Sequence, residues 1–298
     1  MMATNTESKQ ITQAGPIIEA RDLSKRYGGF VALDRVSFGL RAGRIVGLIG
    51  RNGAGKTTAL KAILGLTSYE GSVRVFGLDP ARDRNALMRD VCYIADAAVL
   101  PRWLRVDHAI DYVAGVHPRF DRKRAEAVLA TTNIRRHSRI GQLSKGMITQ
   151  LHLTLILAIN ARLLVLDEPT LGLDLIYRRQ FYDTLLSDYF DQERTILLTT
   201  HQVEEVENLL TDVLFIDRGR VVLDATVDAL AGRYVQLNVA ADKIDAAREL
   251  QPFHVRTLFG KTIMLFENRP AESFAGLGEV RTPGIADLFE AKIQAATP

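Results

Sequence analysis

The sequence predicts an α/β chain: a parallel sheet core preceded by an antiparallel β subdomain, interrupted by a helical subdomain and followed by a small C-terminal α+β domain. Three observations carry that expectation. A glycine-rich loop, Gly50-Arg51-Asn52-Gly53-Ala54-Gly55-Lys56-Thr57-Thr58, stands between the apolar run Ile45–Ile49 and the helix-forming Ala59–Leu64. Two further runs, Arg162–Glu168 and Thr195–His201, carry continuous rather than alternating apolar residues, the pattern of strands covered on both faces. Beyond Ala225 the composition changes to the shorter strand and helix signals of a different unit.

The elements follow in order. Residues 1–15 read as a disordered tail rich in Thr, Gln and Ser. A main domain is expected over 16–225, with the helical subdomain at about 97–160, and an accessory domain over 226–298. Ile17–Ala20 and Ala32–Phe38 read as paired strands, with Tyr27-Gly28-Gly29 in the connection. A second hairpin is expected around Gly71–Gly77, and a short strand at Val91–Ile94. Val213–Asp217 and Arg218–Leu223 form a closing hairpin. In the accessory domain, Val235–Ala240, His254–Leu258 and Thr262–Phe266 read as strands and Asp242–Leu250 as a helix. A last helix takes Thr282 as N-cap and Pro283 as its first residue, with Ile285, Leu288, Phe289 and Ile293 on one face.

Composition narrows the function classes. With 298 residues, 47 % hydrophobic and a net charge of +3, the chain is long enough for one large domain and a small one. It shows no run of like charges that would mark a nucleic-acid or membrane surface. The single cysteine, Cys92, excludes an intrachain disulfide, fits a reducing cytosol and reads as a buried strand residue. The first ten residues are polar and do not form a signal peptide. The longest apolar runs, Leu151–Ile159 and Leu163–Leu166, fall short of the ~20 residues a membrane helix needs.

The glycine loop fits the phosphate-loop spacing G-x-x-x-x-G-K-[ST], with Gly50, Gly55, Lys56 and Thr57 at the fixed positions. Its amides and the helix N-terminus behind it attract an anion. Lys56 supplies a point charge for β- and γ-phosphates, and Thr57 a hydroxyl for Mg²⁺. Leu166-Asp167-Glu168-Pro169-Thr170 places two carboxylates at the end of a buried strand. Neighbouring strand residues face opposite ways, so Asp167 is assigned to the metal and Glu168 to the attacking water. Ser144 and Gly146, in Leu143-Ser144-Lys145-Gly146-Met147, open a long helix and make a second anion site, one suited to a neighbouring subunit. His201, at the end of a strand, is placed to contact a γ-phosphate, although a lone histidine is more often structural.

The order phosphate loop, Leu-Ser-x-Gly, Asp-Glu-Pro-Thr, Gly-Leu-Asp, strand-end His resembles the nucleotide-binding subunit of an ABC transporter over residues 17–225. The resemblance implies a P-loop NTPase core of ABC type, ATP and Mg²⁺ as ligands, and ATP hydrolysis coupled to transport. It implies two subunits head to tail, a homodimer or a pair of paralogues. Each ATP would be held between the phosphate loop of one and Ser144 and Gly146 of the other. It further implies that Tyr27 stacks on adenine, that Gly172-Leu173-Asp174 spans the dimer contact, and that His201 acts as the switch histidine. For Tyr27 the alternative is a half-buried aromatic at a strand edge.

The chain departs from that pattern in three places. Lys145 and Met147 replace the usual glycine and glutamine around Gly146, Asp96 replaces a glutamine, and Leu175 replaces a proline. Asp96 can still ligate Mg²⁺ but cannot donate as an amide does; the alternative is a turn residue. Together with the tail beyond Ala225, these features resemble subunits paired with a separate membrane permease in bacterial drug and peptide exporters. That implies a cytoplasmic protein peripheral to the membrane, with no nucleic-acid partner. The competing readings are a soluble ABC ATPase and an ATP-gated regulatory module. Leu100, Trp103 and Leu104 are expected to help form the permease groove, the alternative being that Trp103 packs inside the helical subdomain.

Overall fold

The computed structural model describes residues 15–95, 100–171, 173–191, 193–258 and 260–295. Asp96 and Gly172 lie outside the described residues, as do the tail before Gly15 and Ala97–Val99.

β1 (Ile18–Tyr27) and β2 (Phe30–Leu40) pair antiparallel, so Tyr27 ends a strand and only Gly28 and Gly29 make the turn. β3 (Ile45–Ile49) feeds the glycine loop and α1 (Lys56–Ile63). The second hairpin expected near Gly71 is a single strand, β4 (Glu70–Val75), which pairs with β1. After β4 the chain makes a tight turn, in which the Val75 and Leu78 amides and carbonyls exchange hydrogen bonds at 2.9 Å. The strand pattern near Gly71 holds, but its partner is β1 rather than the next residues. α2 (Arg84–Leu87) leads into β5 (Val91–Ile94).

The helical subdomain holds α3 (Val106–Val116), α4 (Arg122–Ala130) and α5 (Lys145–Leu157) around a core of its own, with Ile110, Leu129, Ile140, Leu151 and Leu155. The chain returns through β6 (Leu163–Asp167), α6 (Leu175–Thr184), β7 (Thr195–Thr200), β8 (Asp212–Asp217) and β9 (Arg220–Thr226). The main sheet has six strands in the order β5-β6-β7-β3-β8-β9, parallel except for β9.

The unbroken apolar runs are explained by that sheet. Along β6, Leu163 and Val165 join the core on the α1 side, while Leu164 and Leu166 join the core on the α5 and α6 side. Ile196 and Leu198 of β7 face one core and Leu197 the other. Side chains alternate between faces, and both faces are covered. The parallel strands therefore end together, and the site is built at their C-terminal edge.

Beyond β9, α7 (Val227–Arg233), β10 (Tyr234–Val239), α8 (Ile244–Glu249), β11 (His254–Leu258), β12 (Lys261–Glu267) and β13 (Gly278–Arg281) build an antiparallel sheet in the order β11-β12-β10-β13. Its small core holds Leu237, Met264, Phe266 and Phe274. The last helix, α9, spans Ile285–Ala295, beginning two residues after Pro283, so Thr282 is not its cap. The apolar face is as expected, but it packs on the main domain. Ile285 and Leu288 enter the core beneath β8 and β7, and the Phe289 ring meets Phe215 edge-on at 5.3 Å. Among the described residues no helix is long and apolar enough to cross a membrane.

Candidate functional site

The glycine loop leaves β3 at the sheet's C-terminal edge and turns straight into α1. Gly50 is buried against β8, where a Cβ would come 2.6 Å from the Ile216 carbonyl oxygen. Gly55, the residue before α1, has φ +111° and leaves no room for a side chain, since a Cβ would lie 2.6 Å from the Ala32 carbonyl. Both glycines thus let the loop lie flat against its neighbours. Arg51, Asn52, Gly53, Ala54, Gly55, Lys56, Thr57 and Thr58 line a cleft of about 460 Å³. The same cleft is lined by Tyr27 and Phe30 at one end and by Glu168, Leu171 and His201 at the other.

The charged groups converge there. Lys56, only 6 % exposed, donates to the Gly50 carbonyl at 2.7 Å and lies 3.1 Å from Glu168 Oε1. The other Glu168 oxygen is 2.9 Å from His201 Nδ1. The two neighbouring carboxylates part company, but by a turn rather than by strand alternation, because β6 ends at Asp167. Asp167, buried in β6, accepts from the Thr57 hydroxyl at 3.2 Å and from the Thr199 hydroxyl at 2.6 Å through the same oxygen, Oδ1. Glu168 leaves the strand with φ +48°, which swings its side chain toward α1 and His201.

Tyr27 is 48 % exposed at the mouth of the cleft, with Lys25 Nζ 4.9 Å above its ring. The neighbouring Thr67 hydroxyl, outweighing the opposing effect of burial, draws its phenol below the usual range. An aromatic face left open beside a phosphate loop suits a planar base.

Ser144 and Gly146 do not line this cleft. Ser144 caps α5 by accepting from the Met147 amide at 3.3 Å. Gly146 is buried beneath the Tyr177 ring of α6, where a Cβ would lie 2.1 Å from two ring carbons. Lys56, Thr57, Asp167, Glu168 and His201 are therefore brought together within one chain, and Ser144 and Gly146 stand apart on the helical subdomain.

A second, apolar cleft of about 360 Å³ opens between β5, α3 and α5, lined by Ile94, Leu100, Pro101, Val113, Val116, His152 and Leu155 among others. Trp103 stands 73 % exposed, so it does not pack inside the helical subdomain. Leu104 does pack there.

These motifs and their geometry have counterparts. Residues 33–171 match the family model described as ABC transporter. A Nod factor export ATP-binding protein I from Burkholderia thailandensis is 33 % identical over 297 residues, covering 91 % of this chain and 95 % of its own length. The chain belongs to the ABC transporter ATP-binding family. Within it, ABC transporter ATP-binding protein YtrB of Bacillus subtilis is 27 % identical over 226 residues, covering 76 % of this chain and 77 % of that one. A solved ATP binding subunit of an ABC transporter superposes with a TM-score of 0.63 at 28 % identity, over 72 % of this chain and 92 % of that one.

Sequence reasoning missed several residues that shape this ABC-type site. Thr199 bonds the Asp167 carboxylate and the Glu168 backbone N–H. Tyr177 covers Gly146. Arg178 donates to the Leu173 carbonyl at 2.7 Å and pairs with Gln202 and Glu205, just beyond His201. One signal was present for Thr199: a hydroxyl in a fully buried strand must find a partner. Tyr177 and Arg178 carried no signal, because their contacts are made only in space.

Proposed function

We propose that this chain is the ATP-hydrolysing subunit of an exporter whose membrane permease is a separate chain. The observation that carries the ATPase reading is the convergence of Lys56, Glu168 and His201 on one cleft, with Thr57 and Asp167 beside it. On ATP binding the loop amides and Lys56 neutralise the triphosphate, Lys56 giving up Glu168 for β- and γ-phosphate oxygens. Glu168 then takes the proton of the water that attacks the γ-phosphorus, so that the P–O bond to ADP breaks. His201 holds the Glu168 carboxylate and meets the γ-phosphate on its other side.

The donor set also fits Mg²⁺. Thr57 and Asp167 present hard oxygens 3.2 Å apart, and Mg²⁺ on a nucleotide takes one or two protein oxygens and completes its shell with phosphate and water. When bound, the cation neutralises phosphate charge. Thr57 and Asp167 hold it, and Asp96 is a further candidate ligand.

Ser144 and Gly146, set apart from the cleft, fit a head-to-tail pair in which each subunit completes the other's site. The apolar cleft and the exposed Trp103 suit a cytoplasmic segment of a permease, which would place the chain on the cytoplasmic face of the membrane. The export role in the name of the Burkholderia relative supports export as the direction. The test is phosphate release by the purified chain with ATP and Mg²⁺, alone and coexpressed with a candidate permease. Turnover absent in both would overturn the ATPase reading. Turnover with no membrane cofractionation would favour a soluble ATPase.

A further inference from the structure

Asp167 and Thr199 are register partners on the adjacent parallel strands β6 and β7. Thr199 is 0 % exposed, and its hydroxyl makes two bonds of opposite sense. It donates its one proton to Asp167 Oδ1 at 2.6 Å, and its oxygen accepts the Glu168 backbone N–H at 3.0 Å. A hydroxyl can do both at once, and the bond to a carboxylate is of the stronger, charge-assisted kind.

The second bond accounts for the turn at Glu168. β6 ends at Asp167, and Glu168 takes φ +48°, a region that residues other than glycine rarely adopt. Leaving the ladder there would strand a backbone donor inside the protein. The Thr199 hydroxyl supplies the acceptor one bond short of the ladder, and the chain can turn. That turn is what carries the Glu168 carboxylate to Lys56 and His201 while Asp167 faces Thr57.

We propose that Thr199 is a positioning residue for both carboxylates: through one hydroxyl it aims Asp167 at a divalent cation and fixes the backbone from which Glu168 reaches the water. The inference rests on the ATPase reading above and adds to it a residue that touches neither nucleotide nor water.

The test uses the full chain and three variants, Thr199→Val, Thr199→Ser and Thr199→Ala, each with a thermal melt. Three quantities are read: trinitrophenyl-ATP binding in EDTA, Mn²⁺ half-saturation with a non-hydrolysable ATP analogue by electron paramagnetic resonance, and kcat and KM for ATP. Thr199→Val keeps the shape and loses the hydroxyl. It is expected to bind trinitrophenyl-ATP normally, because the phosphate loop is untouched. Its Mn²⁺ half-saturation should rise and its kcat fall, each by about tenfold or more, as when the hydrogen-bond partner of a metal ligand is removed. KM should move by less than about threefold. Thr199→Ser should restore Mn²⁺ affinity and kcat. Should Thr199→Val fail to fold, the contrast between Thr199→Ser and Thr199→Ala carries the same test. A Thr199→Val that matches the wild type in Mn²⁺ affinity and kcat overturns the positioning role, and so does a Thr199→Ser as impaired as the hydroxyl-free variants. A wild type that binds no trinitrophenyl-ATP overturns the ATPase reading instead.

Discussion

Lys56 and Glu168 neutralise each other across the cleft, ammonium to carboxylate at 3.1 Å, with both side chains nearly buried. The lysine expected to hold phosphate and the carboxylate expected to activate water are thus partners already. On the proposed function an incoming γ-phosphate would compete with Glu168 for the same ammonium.

Glu168→Gln removes the proposed base and the competitor together. Hydrolysis should fall by about 10²-fold or more. ATP affinity should hold or rise, because Lys56 is freed from its ion pair. Equilibrium binding and single-turnover hydrolysis measure the two effects separately. A variant that loses ATP binding in proportion to turnover would contradict the competition. The same variant should accumulate an ATP-bound dimer in size-exclusion with Mg²⁺.

Lys56→Ala should weaken nucleotide binding and abolish turnover. It also leaves a nearly buried carboxylate without the ammonium, facing the His201 ring, so the isolated chain should lose stability, by about 1–3 kcal/mol near neutral pH. Denaturant titration checks this. A variant as stable as the wild type would mean that the pair adds nothing to the fold.

Trp103→Ala should leave the melt unchanged, because the ring is mostly in solvent. It should weaken capture of the permease, by about 2 kcal/mol if the ring is an interface anchor. Full capture by the variant would remove Trp103 from the docking surface.

The chain should also lose stability at both ends of the pH range. Burial pushes the Cys92 thiol up to about 12 and raises the Tyr182 and Tyr189 phenols. These acids ionise first in the unfolded chain. Their contribution is whole below about pH 9 and falls as the pH rises toward the native values, at about 1.4 kcal/mol per unit for each group titrating. Burial lowers His152 and His117, so their contribution is whole above about pH 6.5 and is lost on acidification. Denaturation midpoints at about pH 5, 7 and 10.5 test both limbs; a flat profile would contradict the burial of these groups.

Much of this was legible in the chain. The glycine loop, the paired acids and the unbroken strands announce themselves because local chemistry fixes them: a lysine after glycines, carboxylates at a strand end, apolarity on both faces. β13 gave no sign, since all four of its residues are exposed and no alternation marks it. α6 begins with exposed Leu175 and Ile176 and buries Phe181 and Tyr182, so its stripe is blurred. Thr199, Tyr177 and Arg178 act across strands or between helices, and spacing along the sequence cannot report a distance through space.

The placement of α9 has a consequence for the order of events during synthesis. Its Ile285 and Leu288 complete the same core as Phe215, Ile196 and Leu198, some seventy to ninety residues earlier. A nascent chain that has just emitted β9 already contains the residues that line the candidate ATP cleft, and α5 and α6 already cover part of the underside of its main sheet, but the stretch that α9 packs on is still open. That stretch waits for the accessory strands to leave the ribosome before α9 arrives to cover it. In that interval the chain is exposed to chaperones and to aggregation. A fragment cut at residue 226 would keep that stretch open.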